Sequence, residues 1–432
     1  MTIEKKLLGT NPVDDTGPYW WTAFGAVNGQ DVHGIATDED YNVYIGGSGY
    51  NNVTSGGDDF FLVKYDTDGI LQWQKWLGQS SAEEGYGVAI DSNGYVYIAG
   101  STYTSSKMVL AKYNSSGTLQ WQRSLDSQND GEESYAGGLT VDSSDNIYMV
   151  DSRTQSSGRY EYIQIVKYNT SGNIQYQRTF GNTTNASSDR LNSGRVGSDS
   201  SDNLYMSCQG LVDNKLVVVK YNSSGTLQWQ KSYAVSEADA RGIAVTPSGD
   251  IYITGSYYTS GKKSLIMKIN TSGVMQWSKG LKEGTYGQVM DSISVDSDGN
   301  AYIAGGNGVY FYKYNSSGSL QWSRSFTGSN NNYVVRGNHI SSNGDLHIGF
   351  RTGAVPSVGS SDNALVVKIP NDGTLTGTYG AFTYSAISST AHTPSITTAT
   401  TSYADASSSY TEAAGGMNNT TANYATTTVD IE

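Results

Sequence analysis

The eleven residues KYNSSGTLQWQ occupy positions 112–122 and recur, letter for letter, at 220–230. A catalytic segment is needed once, so exact duplication about a hundred positions apart reads as a structural repeat. Aligned outward from this stretch, seven copies appear: VKYDTDGILQWQK from Val63, AKYNSSGTLQWQR from Ala111, VKYNTSGNIQYQR from Val166, VKYNSSGTLQWQK from Val219, MKINTSGVMQWSK from Met267, YKYNSSGSLQWSR from Tyr312 and VKIPNDGTLTGTY from Val367. A second motif alternates with them, as in GVAIDSNGYVYIAG and GIAVTPSGDIYITG.

Each unit holds four short apolar runs: strand a (GVAID), strand b (YVYIAG), strand c (VLAKY) and strand d (TLQWQR). The Asp, Asn, Ser and Gly between a and b, and between c and d, supply the side-chain hydrogen bonds and positive backbone angles of tight hairpins. Four antiparallel strands make one blade, which cannot bury both of its faces alone. Copies about 45 to 55 residues apart therefore stack around an axis, and the fold class is all-β, a seven-bladed β-propeller.

Closure is legible too. YWWTAFG, residues 19–25, is a strand d with no a, b or c before it, while the last copy carries Gly377 where the tryptophan belongs. Residues 19–25 are thus expected to supply strand d of the seventh blade. Beyond about Phe382 the chain turns to Ser, Thr, Ala and Tyr, too poor in large aliphatics for a core of its own. The division is an N-terminal arm at 1–18, the propeller at 19–382 and an extended tail at 383–432, both ends being expected to dock on a partner.

Residues that recur in every unit serve the unit. Trp20, Trp73, Trp121, Tyr176, Trp229, Trp277 and Trp322 share one slot in strand d and are expected to wedge between blades. Lys64, Lys112, Lys167, Lys220, Lys268, Lys313 and Lys368 share one slot in strand c, placing an ammonium near the aspartates that end strand a, Asp38, Asp91, Asp142 and Asp296. The stretch DSDGN at 296–300 reads as a hairpin turn, lacking the ligand alternation of a calcium loop. Asn114, Asn222 and Asn315, though in Asn-x-Ser triplets, read as turn residues.

The composition agrees: 51 Gly, 33 Tyr and only 6 Pro in 432 residues, with a formal net charge of -13. That charge argues against nucleic acid or an anionic membrane as partner. The single cysteine, Cys208, excludes a disulfide framework and reads as a small buried strand residue. No signal-peptide run or membrane span is visible, so neither export nor insertion is expected. No phosphate loop, nucleophile elbow or zinc motif is present, and neither a cofactor nor a metal is expected. Of the four histidines, His33 and His339 lie in strand a of blades one and seven, where a metal pair is the sharper and less favoured reading.

The b-to-c and d-to-a loops differ in length and content, and strand alternation puts both on one rim, where function is expected. Ligand-binding candidates there are Tyr50, Asn51, Tyr103, Tyr160, Tyr162, Tyr257, Tyr258, Tyr286, Asn331 and Tyr333. Tyr with Ser, Asn and Gly gives rigid contact area plus adaptable hydrogen bonds. Glu83, Glu84, Glu132, Glu133 and Asp239, read as d-to-a loop residues, are the carboxylates a glycoside-cleaving enzyme would use.

Units such as GIAVTPSGDIYITGS followed by LIMKINTSGVMQWSK resemble the seven-bladed β-propeller repeat family abbreviated SBBP, over about residues 19–382. NSSGTLQWQ is also similar to the tryptophan-docking motif of quinone-cofactor dehydrogenase propellers, whose eight blades and cofactor cage have no counterpart here. KKLLGTNP at the start and SYADASSSYTEAAGG in the tail resemble structural proteins of tailed bacteriophages, particularly those of marine cyanobacteria. That resemblance implies a non-enzymatic virion component, tail- or fibre-associated, made in the host cytoplasm and extracellular after lysis. It would bind a host-surface glycan or protein through the rim and other virion proteins through 383–432 and 1–18, with a homo-oligomer also open. A purely structural virion or scaffold subunit and a glycan-cleaving propeller are the alternatives.

Overall fold

In a computed structural model the described residues are 6–8, 19–24, 29–50, 57–78, 83–102, 107–125, 132–155, 161–181, 191–210, 215–234, 237–258, 261–281, 289–306, 309–328, 334–352, 363–379, 382–387, 391–392, 396–400, 405–407, 412–414, 418–420 and 426–427. They form strands and turns in seven antiparallel sheets, the fold of a seven-bladed β-propeller. Strands a to d of blade 1 are Gln30–Thr37, Val43–Tyr50, Asp58–Tyr65 and Leu71–Gly78. Those of blade 2 are Glu83–Ile90, Val96–Thr102, Met108–Tyr113 and Leu119–Leu125, and blade 3 runs Glu132–Val141, Ile147–Gln155, Glu161–Tyr168 and Ile174–Gly181. Blade 4 runs Leu191–Ser198, Leu204–Gly210, Lys215–Tyr221 and Leu227–Ala234; blade 5 runs Asp239–Val245, Ile251–Tyr258, Lys262–Ile269 and Met275–Leu281. Blade 6 comprises Met290–Val295, Ala301–Gly305, Tyr310–Tyr314 and Leu320–Gly328. Blade 7 comprises Val334–Ile340, Asp345–Thr352 and Asn363–Pro370, with Tyr19–Phe24 as its strand d.

That last assignment rests on register: Trp20 lies opposite Lys368, and Phe24 opposite Ala364. The chain end and chain start therefore share one sheet. Beyond the turn that follows Pro370, Gly377–Tyr379 pairs with Phe382–Ala386, which adds to strand d of blade 6. The copy that lost its tryptophan at Gly377 is not a strand d.

The chain divides into two compact units. One, Met1–Val88 with Asp291–Ser389 and Met417–Glu432, carries blades 6, 7 and 1; the other, Ala89–Met290 with Thr390–Gly416, carries blades 3, 4, 5 and most of blade 2. Within each unit the cores lie between neighbouring blades. Tyr148, Val150 and Ile163 of blade 3 pack against Met206, Val217 and Val219 of blade 4. Strand alternation sends Trp20 into the core shared with blade 1 and its neighbour Trp21 into the core shared with blade 6. Inner strands come so close that a Cβ on Gly34 would stand 2.5 Å from the backbone nitrogen of Val88.

The short turns share one geometry. The amide of Asp91 donates to the Tyr95 carbonyl and that of Gly94 to the Asp91 carbonyl, both at 3.0 Å. The residue before the return strand is left-handed: Gly94 at φ 75°, Gly117 at 76°, Gly225 at 77°, but also Tyr41 and Asp145 at 62°. This is a type I turn with a glycine bulge. Asp296–Asn300 takes the same form, Asp296 Oδ1 accepting from the amides of Asp298 and Asn300, and Asn114 Oδ1 accepts from the Thr118 amide at 2.8 Å, as the turn readings expect.

The described residues of the tail form short strands that pair with the chain's own blades. Among the described residues Phe382–Ala386 lies on blade 6, Ala391–His392 on blade 5, Thr397–Thr400 on blade 4, Asp405–Ser407 on blade 3, Glu412–Ala414 on blade 2, Asn418–Thr420 on blade 1 and Thr426–Thr427 on blade 7. Each joins strand d antiparallel, the outer edge of its sheet. Lys6–Leu8 joins the same edge of blade 7, Lys6 opposite Trp21.

Candidate functional site

The recurrent residues build an inter-blade clasp. Trp121 Nε1 donates to the Thr170 carbonyl of blade 3 at 3.1 Å, and Trp229 to Thr271 of blade 5 at 3.1 Å. Trp20 reaches Thr67 of blade 1 at 2.9 Å, and Trp322 reaches Asn371 of blade 7 at 2.8 Å. Tyr176 fills the slot in blade 3, its ring 2.8 Å from where a Cβ on Gly225 would lie. Trp73 and Trp277 meet the strand b tyrosines of their own blades, Tyr44 and Tyr252, with ring centroids 5.9 and 6.0 Å apart.

The lysine slot completes the clasp. Lys64 lies 3.6 Å from Asp38, Lys112 3.5 Å from Asp91 and Lys167 3.1 Å from Asp142. In blades 5 and 7, Thr246 and Ser341 stand where the aspartate would end strand a, and the acid moves four residues on: Lys268 pairs with Asp250 at 2.9 Å and Lys368 with Asp345 at 2.8 Å. The tyrosine of strand b donates to the same aspartate, Tyr97 to Asp91 at 2.8 Å and Tyr205 to Asp199 at 2.9 Å. In blade 7 the tyrosine slot holds His347, 6.4 Å from the Trp20 ring.

The two strand a histidines take different partners. His339 Nε2 lies 3.0 Å from Thr37 Oγ1 and faces His347 across the ladder, whereas His33 lies 3.8 Å from Asp31 and beside the Tyr86 ring. Among the described residues no group of three or more His, Cys, Asp or Glu could hold a metal ion. Cys208 is wholly buried in a strand, and burial pushes its thiol up.

At the end of the blades opposite the short turns, a pocket of about 320 Å³ in the second unit gathers Gln209 of blade 4 with Glu237, Asp239, Ser256, Tyr257, Tyr258 and Lys262 of blade 5. Tyr258 is 47% exposed at the end of strand b, directly across the ladder from Lys262. Asp239 starts strand a and accepts from Arg241 Nε at 2.6 Å. Arg241 sits where the register shifts between Ala240 and Gly242, and such a bulge re-aims a side chain. Glu237 holds a left-handed φ of 50°, a strained setting for a residue with a side chain. In the first unit, Asp31 draws Arg351 at 3.6 Å and Arg336 at 3.8 Å, with Tyr50 37% exposed on the same blade.

The structure thus brings Tyr257, Tyr258 and Asp239 together and leaves Tyr50 at a separate place. Tyr162 and Tyr257 are not the exposed loop residues of the expectation: they are 3% and 2% exposed, because strand c of blade 3 and strand b of blade 5 extend through them and bury their rings, although Tyr257 still contributes to the lining of the pocket. Asn51, Tyr103, Tyr160, Tyr286, Asn331 and Tyr333 lie outside the described residues. The carboxylates read as loop residues are corrected likewise: Glu83, Glu84, Glu132, Glu133 and Asp239 lie within strands a, since pairing with strand b runs on past the bulge, Glu132 opposite Gln155. Gln209, Glu237 and Lys262 were missed by the sequence reading; only the departure of each from its repeat position marks them.

The class is that of a β-propeller of four-stranded blades, and residues 72–105 match the SBBP β-propeller repeat. No curated protein matches the chain. Solved structures similar to it include polysaccharide lyase Uly1, at 11% identity over 81% of this chain and 92% of that one, with a TM-score of 0.49. A protein of unknown function from Bacteroides caccae is 14% identical over 65% and 92%, with a TM-score of 0.41. A gluconolactonase from Xanthomonas campestris is 15% identical over 72% and 90%, with a TM-score of 0.38. None of these likenesses bears on what this chain binds. Among the described residues no helix is long and apolar enough to cross a membrane.

Proposed function

We propose that the chain is a non-enzymatic binding protein that meets a host-surface glycan or protein through the variable end of its blades, as a tail- or fibre-associated component of a bacteriophage virion. The observation that carries the binding reading is the exposed Tyr258 ring beside Lys262 over the Glu237 and Asp239 pocket. An aromatic face ringed by charged and amide groups suits a sugar or a polar protein surface. The virion setting rests on the likeness of the two chain ends to phage structural proteins. With the tail strands engaged on the blades, virion proteins would meet the outward edges of those strands.

Two measurements test this. Gold-labelled antibody on particles from a lysate of the source places the protein at a tail or fibre tip if the virion reading holds; absence from every particle overturns it. Adsorption of the purified protein to host cells falls in Tyr258→Ala and in Lys262→Ala; unchanged adsorption in both moves the contact elsewhere. A structural virion subunit would instead label capsid or collar without adsorbing to cells. Breakdown of host polysaccharide by the protein, abolished in Asp239→Asn, would make it the glycan-cleaving alternative.

A further inference from the structure

On the face of the short turns, one inter-blade cleft departs from the repeat. The position that follows the a-to-b turn is Asn42, Asn146, Asn203 or Asn300 in four blades, and its amide donates to the strand a aspartate at 2.8 to 3.1 Å. In blades 5 and 7 it is Asp250 or Asp345, each paired with the blade's lysine. Blade 2 alone carries an aromatic residue there, Tyr95. The turn does not need it: the backbone bond from the Tyr95 amide to Asp91 Oδ1, at 2.9 Å, matches that of Asn146 to Asp142 at 2.8 Å.

What Tyr95 adds is a half-buried ring beside half-buried Trp121, in a groove of about 490 Å³ between blades 2 and 3. Asp91, Asn93, Lys112, Gln120, Thr170 and Ser171 complete the lining. Its charges cancel: Lys112 Nζ lies 3.5 Å from Asp91 and 3.9 Å over the Tyr95 ring. The carboxylate of Asp145 nearby accepts from Ser92 and Asn93. The Trp121 N–H is spent on Thr170, so the indole offers surface rather than a hydrogen bond. Exposed Gln120 donates to its own Thr118 carbonyl, and an amide has further donor and acceptor capacity. Aromatic surface, amide groups and balanced charge are the requirements of a neutral sugar ring, whose C–H face packs on aromatics while its hydroxyls bond at the edge.

We propose that the groove between blades 2 and 3, where Tyr95 replaces the asparagine of the repeat beside Trp121, binds a neutral pyranose on the face opposite the variable rim. This site stands apart from the rim reading and does not depend on it. The test is calorimetric titration of the full-length protein with cellohexaose, maltohexaose and mannohexaose. Wild type binds at least one of them; Tyr95→Asn weakens that binding about tenfold or more, Gln120→Ala weakens it too, and Tyr258→Ala leaves it unchanged. Tyr95→Asn installs what four other blades carry, so its melting temperature stays at or above that of wild type. No binding to wild type, or undiminished binding to Tyr95→Asn, overturns the proposal. Loss in Tyr258→Ala with retention in Tyr95→Asn also overturns it and credits the rim instead.

Discussion

His347 occupies a position that is tyrosine in the other six blades, and the substitution carries a pH dependence with it. Burial holds His339 down to about 4, and burial, then His339 and Lys368, hold His347 well below the usual histidine value. Both rings are neutral in the folded chain, whereas the unfolded chain takes up protons below about pH 6.5. Stability is therefore full above that pH and drains as pH falls from about 6.5 toward 4. His347→Tyr should shrink the fall in Tm between pH 7 and pH 5; an unchanged fall would refute the assignment. At the same scale, Gly225→Ala meets both a left-handed φ and the Tyr176 ring at 2.8 Å, and should lose roughly 2 kcal/mol in denaturant unfolding. Burial of Tyr162 and Tyr257 was not legible in the sequence. Two adjacent tyrosines in SYYTSGKK look alike as letters, and only the strand's running through both decides which faces water.

The element scale is where the sequence spoke most plainly. The turn chemistry, the lysine and aspartate slots and the orphan strand at Tyr19–Phe24 were all readable, since side-chain identity sets each of them. Three of these turns are out of step: Tyr41 and Asp145 take φ 62° and Asp202 takes 59° where Gly94, Gly249, Gly299 and Gly344 stand in equivalent hairpins, and of the three only Tyr41 is bulky. A bulky residue pays strain there, so Tyr41→Gly should raise stability by roughly 1 kcal/mol in chemical denaturation. The short turns also join blades, Asp202 accepting from Ser143 at 2.7 Å. Burial alone would raise that carboxyl, but bonds from Ser144 and Ser143 and the Lys167 charge hold it low. The pairing of the tail was not legible at this scale. Its strands are two to five residues of mostly small side chains, and backbone hydrogen bonds leave no pattern in the letters.

For the whole molecule, the tail strands cover what would otherwise be open strand d edges, the usual templates for unwanted pairing. A chain ending at Ile387 keeps the strand on blade 6 and loses those on the other six blades. It should self-associate at concentrations where the intact protein does not, by light scattering, and show faster amide exchange in strands d; equal behaviour of the two would mean that the tail seals nothing. The tail visits its blades in the order 6, 5, 4, 3, 2, 1, 7, the reverse of synthesis for the first six, and it leaves the ribosome after all of them. Sealing by the tail therefore cannot begin until every blade has been made, and a polypeptide released before the tail is synthesised keeps bare strand d edges on blades 1 to 5.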